Sequence, residues 1–152
     1  MNRYAWPAAV ALIGAALSGP APAVEVRRID GVPLVTGGVG SDEVDEMTLA
    51  LPDYNLKVTA AARRSGAFLA DVALEVRDAR GVRVLSVTLE GPILLTRLPA
   101  GTYELRLTYR AKTQTRSVSV PPQGRRETVF YWDVPESDDP RPSPAERAQP
   151  AR

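Results

Sequence analysis

The chain has 152 residues, with 19 Lys and Arg side chains against 18 Asp and Glu side chains, and it contains neither cysteine nor histidine. These absences exclude disulfides, zinc sites built from Cys and His, thiol nucleophiles and Ser-His-Asp triads. The balanced charge argues against a nucleic-acid-binding protein, which needs a basic surface to neutralise phosphates. The length suits one domain with flanking segments.

The N-terminal residues have the features of a secretory signal peptide. Arg3 precedes an apolar run, Ala5–Leu17, and a small-residue motif follows that ends at Ala23. A charged start, an apolar run and small residues at the cleavage site define such a peptide. The run is shorter than the roughly 20 residues that span a bilayer. We therefore predict a signal peptide over residues 1–23, cleaved at Ala23/Val24, and a periplasmic or secreted product without a membrane span.

Residues 24–53 are predicted to form a lead-in segment with one short helix. Its first part, Val24–Gly40, contains glycines and a proline and indicates irregular structure. Ser41 offers an N-cap hydroxyl, and carboxylates crowd the turns that follow. The spacing of apolar residues predicts a helix over Asp42–Leu51, which ends before Pro52.

Residues 54–132 alternate apolar and polar side chains, which predicts strands. The predicted strand segments are Leu56–Val58, Val72–Val76, Val82–Leu89, Ile93–Arg97, Thr102–Tyr109, Thr113–Val120 and Glu127–Trp132. About seven short strands with turns between them are typical of an antiparallel β-sandwich. Residues 133–152 are rich in proline and charge, so we predict a disordered tail. The predicted fold is a mainly β, single seven-stranded antiparallel sandwich.

A turn followed at once by a strand carries a family resemblance. In the segment Leu98–Tyr103, Pro99 and Gly101 occupy turn positions that suit them, and the strand begins immediately after. With Ala67–Asp78 and the turn at Gly81, this segment resembles the carboxypeptidase regulatory-like domain, a sandwich of the prealbumin (transthyretin) type. The lead-in and helix are similar to those of small exported proteobacterial proteins. The resemblance implies an accessory or binding module, and it implies no peptidase activity, because the zinc of such peptidases lies in a separate domain.

The last predicted strand carries the candidate ligand or partner surface. Alternation places Phe130 and Trp132 on one face of the strand and Tyr131 on the other. Tyr131 and Trp132 could stack a sugar or peptide, although such aromatic residues more often belong to a core. Arg125 and Arg126, like Arg27-Arg28 and Arg63-Arg64, could meet an acidic partner surface, or they could simply be solvated charge.

Two features near the predicted helix have alternative interpretations. The glycines Gly37, Gly38 and Gly40 could form an anion site before a helix, but the neighbouring carboxylates favour a structural turn. The acidic residues of the first helical turns could bind calcium, although successive helical side chains diverge, so charge that complements the helix dipole is favoured. The acidic set is Asp42, Glu43, Asp45 and Glu46.

No residue pattern in the chain points to catalysis, and we predict neither catalytic, metal nor cofactor-binding residues. The favoured function is an accessory module that acts through contacts with a protein partner. A carbohydrate- or peptide-binding module that uses the Trp132 end is the alternative, and a hydrolase is the least favoured one.

Overall fold

A computed structural model of the chain describes residues 25–135 and 138–139. This part of the chain forms nine β-strands and one α-helix, so the protein is mainly β as predicted. The predicted signal peptide lies outside the described residues. The elements are β1 (Arg27–Ile29), β2 (Val32–Gly37), α1 (Ser41–Ala50), a 3₁₀ turn (Leu51–Asp53), β3 (Leu56–Ala62), β4 (Val72–Arg77), β5 (Arg83–Leu89), β6 (Ile93–Thr96), β7 (Gly101–Tyr109), β8 (Lys112–Val120) and β9 (Arg126–Trp132).

The strands form two sheets that share one apolar core. The five-stranded sheet has the order β1-β2-β6-β3-β9, and the four-stranded sheet has the order β5-β4-β7-β8. Buried side chains from both sheets form a single cluster, which includes Leu34 and Phe130 from one sheet and Leu74 and Leu105 from the other. The packing is therefore sandwich-like, as expected when each strand has one apolar face.

The structure corrects two details of the predicted sandwich. The described residues contain nine strands rather than seven, because two strands lie in the lead-in segment. The sheets are also not wholly antiparallel: β9 pairs in parallel with β3, from Leu56 opposite Arg126 to Ala62 opposite Trp132. Strand alternation reports which face is buried, but it does not report the direction of the neighbouring strand.

The prediction that Val24–Gly40 is irregular is wrong. Asp30 and Gly31 both have positive φ angles, and they form a two-residue turn that joins β1 to β2. An Asp-Gly pair is a strong hairpin signal, because both central residues of a type I′ turn need positive φ. The strand β2 then pairs with β6, and this pairing buries Leu34 and Val35 completely.

Helix α1 covers part of the outer face of the five-stranded sheet. Met47 is buried there with Val35, Leu95 and Tyr54. The helix is one residue displaced from the prediction at both ends, and its N-cap is Gly40 rather than Ser41, without a side-chain cap. Because α1 packs on the outer face of the five-stranded sheet, the inner face of that sheet is the one that packs in the sandwich core.

The strand β7 shows the expected division between core and surface. Tyr103, Leu105 and Leu107 are buried, whereas Glu104 is about half exposed and pairs with Arg106 at 3.7 Å. We predict that Leu105→Ala lowers the free energy of unfolding by roughly 2–5 kcal/mol, because it removes a side chain from a packed core. Glu104→Ala should cost less than about 0.5 kcal/mol. Urea titrations of both variants measure the difference, and equal losses would contradict the assigned faces.

The first residues of the predicted tail, which begins at Asp133, contact the sandwich. Val134 is only 9% exposed and belongs to the core cluster, and the Arg110 guanidinium lies 2.6 Å from the Asp138 carboxylate. The sequence did not predict this contact, because the segment is rich in proline and a single valine forms no periodic pattern that would indicate burial. Most of the predicted disordered segment lies outside the described residues.

We predict that Val134→Ala lowers the free energy of unfolding by about 1–3 kcal/mol, because a buried side chain is truncated. Pro135→Ala is the neighbouring control, since Pro135 is exposed, and it should leave stability unchanged within error. Thermal melts of both variants provide the measurement. An unchanged melting temperature for Val134→Ala would show that the segment after β9 does not dock.

Candidate interaction surfaces

The four predicted surface residues in and next to β9 do not form one surface. Arg125 and Tyr131 lie six residues apart on an extended chain, which separates them by about 20 Å. Trp132 is 2% exposed, and its indole Nε1 donates a hydrogen bond to the Lys112 carbonyl at 3.1 Å. Its ring also lies 6.0 Å from the ring of Tyr109. Trp132 is therefore part of the core and cannot present a face to a ligand.

Tyr131 lies on the opposite face of β9 and is 41% exposed, as the alternation predicted. No exposed tryptophan accompanies it within the part of the chain that the structure describes. Phe68, which bridges Ala61, the residue opposite Tyr131 in β3, is 53% exposed as well. Two exposed aromatic residues without a tryptophan are ordinary for a protein surface.

The edges of β8 and β9 are bridged by side chains. Arg116 of β8 donates to the Thr128 hydroxyl at 2.8 Å and to the Val129 carbonyl at 3.0 Å. The Gln114 amide donates to the Tyr131 carbonyl at 2.8 Å, and Arg126 donates back to the Ser119 carbonyl at 3.1 Å. These bonds occupy backbone acceptors along the edge, and so they leave little room for another strand on this side of the sandwich.

Arg116, which makes two of these four bonds, also packs against the core. The Arg116 guanidinium lies 4.3 Å from the centre of the Phe130 ring, within cation–π distance. Sequence reasoning passed over Arg116 because an arginine between Thr115 and Ser117 looks like an ordinary solvent-facing residue. Its role depends on β9 arriving beside β8, which no local pattern reports.

The opposite side of the sandwich has two further edges, β1 and β5. The strand β1 has three residues and carries two arginines, one of which, Arg27, forms a 2.6 Å ion pair with Glu90. The strand β5 has seven residues and pairs only with β4. Within the described residues, no side chain makes a hydrogen bond to β5 across its outer edge. Its segment Val84–Leu89 contains neither a charged residue nor a proline.

The space beside the glycine-rich segment before α1 is occupied by the side chain of Glu43. Glu43 turns back and accepts a hydrogen bond from the Val39 amide at 2.8 Å. Its carboxylate also lies where a side chain at Gly37 would have to be. A carboxylate already occupies this helix N-terminus, so the structural-turn interpretation fits and an external anion would be repelled.

The acidic residues of α1 do not converge on a point. Across residues 25–135 and 138–139, no group of three or more carboxylates is arranged to hold a metal ion.

Among the described residues there is also no helix long and apolar enough to cross a membrane.

The three arginine pairs do not meet at one end of the sandwich. Arg63 lies near the end of β9, where its backbone amide bonds to the Trp132 carbonyl and its side chain lies 3.4 Å from Asp133. Arg125 lies at the beginning of β9, where its side chain donates to the Leu51 carbonyl at 3.3 Å.

The chain matches no protein-family model and no curated protein.

We predict that Trp132→Ala lowers the free energy of unfolding by about 3–5 kcal/mol, since a large buried aromatic residue is removed. Tyr131→Ala on the adjacent, exposed position should cost about 1 kcal/mol or less. Denaturant titrations compare the two. A small cost at Trp132 together with a large cost at Tyr131 would reverse the two faces of β9.

Proposed function

We propose that this protein is a periplasmic or secreted β-sandwich module that acts through protein contacts, without catalysis, and binds an extended segment of a partner along β5. The observation that carries the proposal is the open edge of β5. A strand at the edge of a sheet presents backbone donors and acceptors that another extended chain can satisfy.

The other three edges support this choice by contrast. Soluble proteins blunt their edge strands with short length, charge, proline or covering groups. The strand β1 is short and basic, and the β8 and β9 edges are bridged by Arg116, Gln114 and Arg126. The strand β5 has no proline and a charged residue only at its start, Arg83, where a bulge interrupts its pairing with β4. Over Leu85–Leu89 the pairing is regular, and within the described residues no side chain bonds to the outer backbone edge of this stretch.

The chemistry around β5 favours a short segment of a partner over a second copy of this chain. A stable dimer buries about 1,200–2,000 Å² in total, and obligate dimers use largely apolar surface. The outer face next to β5 is polar instead, and it forms a shallow depression whose lining includes Glu75, Ser86, Thr88, Arg106 and Thr108. A peptide strand needs mainly backbone hydrogen bonds, with side chains that alternate between this polar face and the core side.

The membership of the domain in the carboxypeptidase regulatory-like group is part of the same proposal. Its support is the turn before β7, in which the Tyr103 hydroxyl donates a 2.8 Å hydrogen bond to the Pro99 carbonyl. This bond fixes the turn to the strand that follows it. An accessory module of an exported protein is the role that this resemblance implies. The carbohydrate-binding alternative loses its main support, because Trp132 is buried.

The test uses Ser86 of β5 and Ser117 of β8, which are exposed residues in the middle of the two edges of the same sheet. A photo-crosslinking amino acid is placed at each position in turn, in the producing cells. We expect adducts with a defined partner from position 86 and not from position 117. Mass spectrometry then identifies the crosslinked segment, and a synthetic peptide of that segment should protect β5 amides from hydrogen exchange.

A charge variant provides the matched control for binding of that peptide. Ser86→Lys combined with Thr88→Lys should abolish the protection, because lysines on an edge disfavour strand addition. Ser117→Lys combined with Ser119→Lys adds the same charge to the other edge and should leave it intact. Equal adducts from both edges, adducts made only of a second copy, or protection away from β5 would refute the proposal.

A further inference from the structure

A second surface, on the other sheet, carries a cluster of arginines that the module proposed above does not use. A cleft of about 630 Å³ opens at one end of the five-stranded sheet. It lies between the 3₁₀ turn Leu51–Asp53 and the turn that precedes β9. Its lining includes Tyr54, Asn55, Arg97, Gln123 and Arg125.

The pairing of the strands explains why these residues meet. Arg97 directly follows β6, Asn55 directly precedes β3, and Arg125 directly precedes β9. Backbone hydrogen bonds join the Asn55 amide to the Thr96 carbonyl and the Arg126 amide to the Asn55 carbonyl. Since neighbouring strands lie about 4.8 Å apart, the backbones at Arg97 and Arg125 are separated by about 10 Å. The two guanidinium groups therefore flank one polar groove.

The floor and the walls of the cleft are held in place. The Asn55 side chain donates to the Leu98 carbonyl at 2.7 Å and accepts from the Leu98 amide at 2.9 Å. Arg97 donates to the Asp53 carbonyl at 2.8 Å, and Arg125 donates to the Leu51 carbonyl at 3.3 Å. Each guanidinium has five N–H donors, so these bonds orient it and leave donors for a ligand.

The charges in and around the cleft favour an anion. Arg97 is exposed, and no carboxylate of the described residues lies within ion-pair distance of it. Glu127 is shared between Lys57 at 3.8 Å and Arg125 at 2.9 Å, which leaves it partly neutralised. Asp53 is the other nearby acid. Arg97 is therefore the cation that an incoming anion would meet first.

Tyr54 adds a neutral donor to the same cleft. Burial and the Asp53 carboxylate raise the pKa of its hydroxyl, and Arg28 acts in the opposite direction. The phenol therefore stays protonated at neutral pH and can donate a hydrogen bond. Arg28 lies opposite Pro33, whose carbonyl accepts the Arg97 backbone amide, so a third arginine lies near this end of the sheet.

We propose that this cleft binds an oxyanion, the carboxylate or phosphate group of a small molecule, between Arg97 and Arg125. The planar fork of an arginine matches the oxygen pairs of both groups. This cleft and its ligand differ from the β5 edge and its partner. Either proposal can therefore be refuted without affecting the other.

The experiment is an NMR titration of ¹⁵N-labelled protein with inorganic phosphate and, separately, with succinate, at constant ionic strength. We expect saturable shifts of the Tyr54, Asn55 and Gly124 amides with at least one probe. The probe that binds more tightly identifies the ligand as a phosphate or a carboxylate compound. Absence of saturable binding for both probes would overturn the proposal.

Two variants and one control locate the site. Arg97→Gln should weaken binding about tenfold or more, because it removes a charge-assisted hydrogen bond. Tyr54→Phe removes only the hydroxyl and should weaken binding several-fold, and it keeps the test valid if the arginine variant folds poorly. Arg64→Gln removes an exposed arginine from the turn after β3 and should change nothing. Equal weakening by Arg64→Gln would mean non-specific attraction to basic surface and would refute the site.

Discussion

The parallel pairing of β9 with β3 is the constraint on which the rest of the structure depends. The pairing runs over all seven residues of both strands, and it turns the inner-face residues Phe130 and Trp132 into the shared core. It also carries the end of the chain past β9, so that Val134 packs on the same core. Because parallel neighbours cannot be joined by a tight turn, this contact closes across most of the domain and fixes its overall arrangement.

The same pairing determines which edges of the sandwich are accessible. With β9 in place, Arg116 and Gln114 of β8 reach its outward carbonyls, and the two sheets are joined along this side by side chains. The polar groups of that edge are thereby satisfied within the molecule. On the other side the sheets end in β1 and β5, where the Arg27–Glu90 ion pair links β1 to the residue that follows β5. Within the described residues no side chain bonds to the β5 backbone, and the proposed access to β5 rests on this difference between the two sides.

The arginine cleft also follows from strand order. Tyr54, Arg97 and Arg125 are far apart along the chain, and each lies just outside a strand of the five-stranded sheet. Strands that pair in register bring their ends together, so residues just beyond those ends gather at one rim. Sequence reasoning singled out Arg125 as one of a pair with Arg126, whereas the structure places Arg125 in the same cleft as Arg97 and directs Arg126 toward β8.

Much of the local structure could be read from the sequence, because period-2 alternation reports burial directly. The strands β7 and β9, the opposite faces of Tyr131 and Trp132, and the helix after Gly40 all followed from local pattern. The Asp30-Gly31 turn was equally readable and was overlooked. Strand direction, the bridging by Arg116, the docking of Val134 and the meeting of Arg97 with Arg125 were decided only in the tertiary structure. Each of these depends on which distant strands become neighbours, and hydrogen bonding between strands leaves no trace in the local pattern of either one.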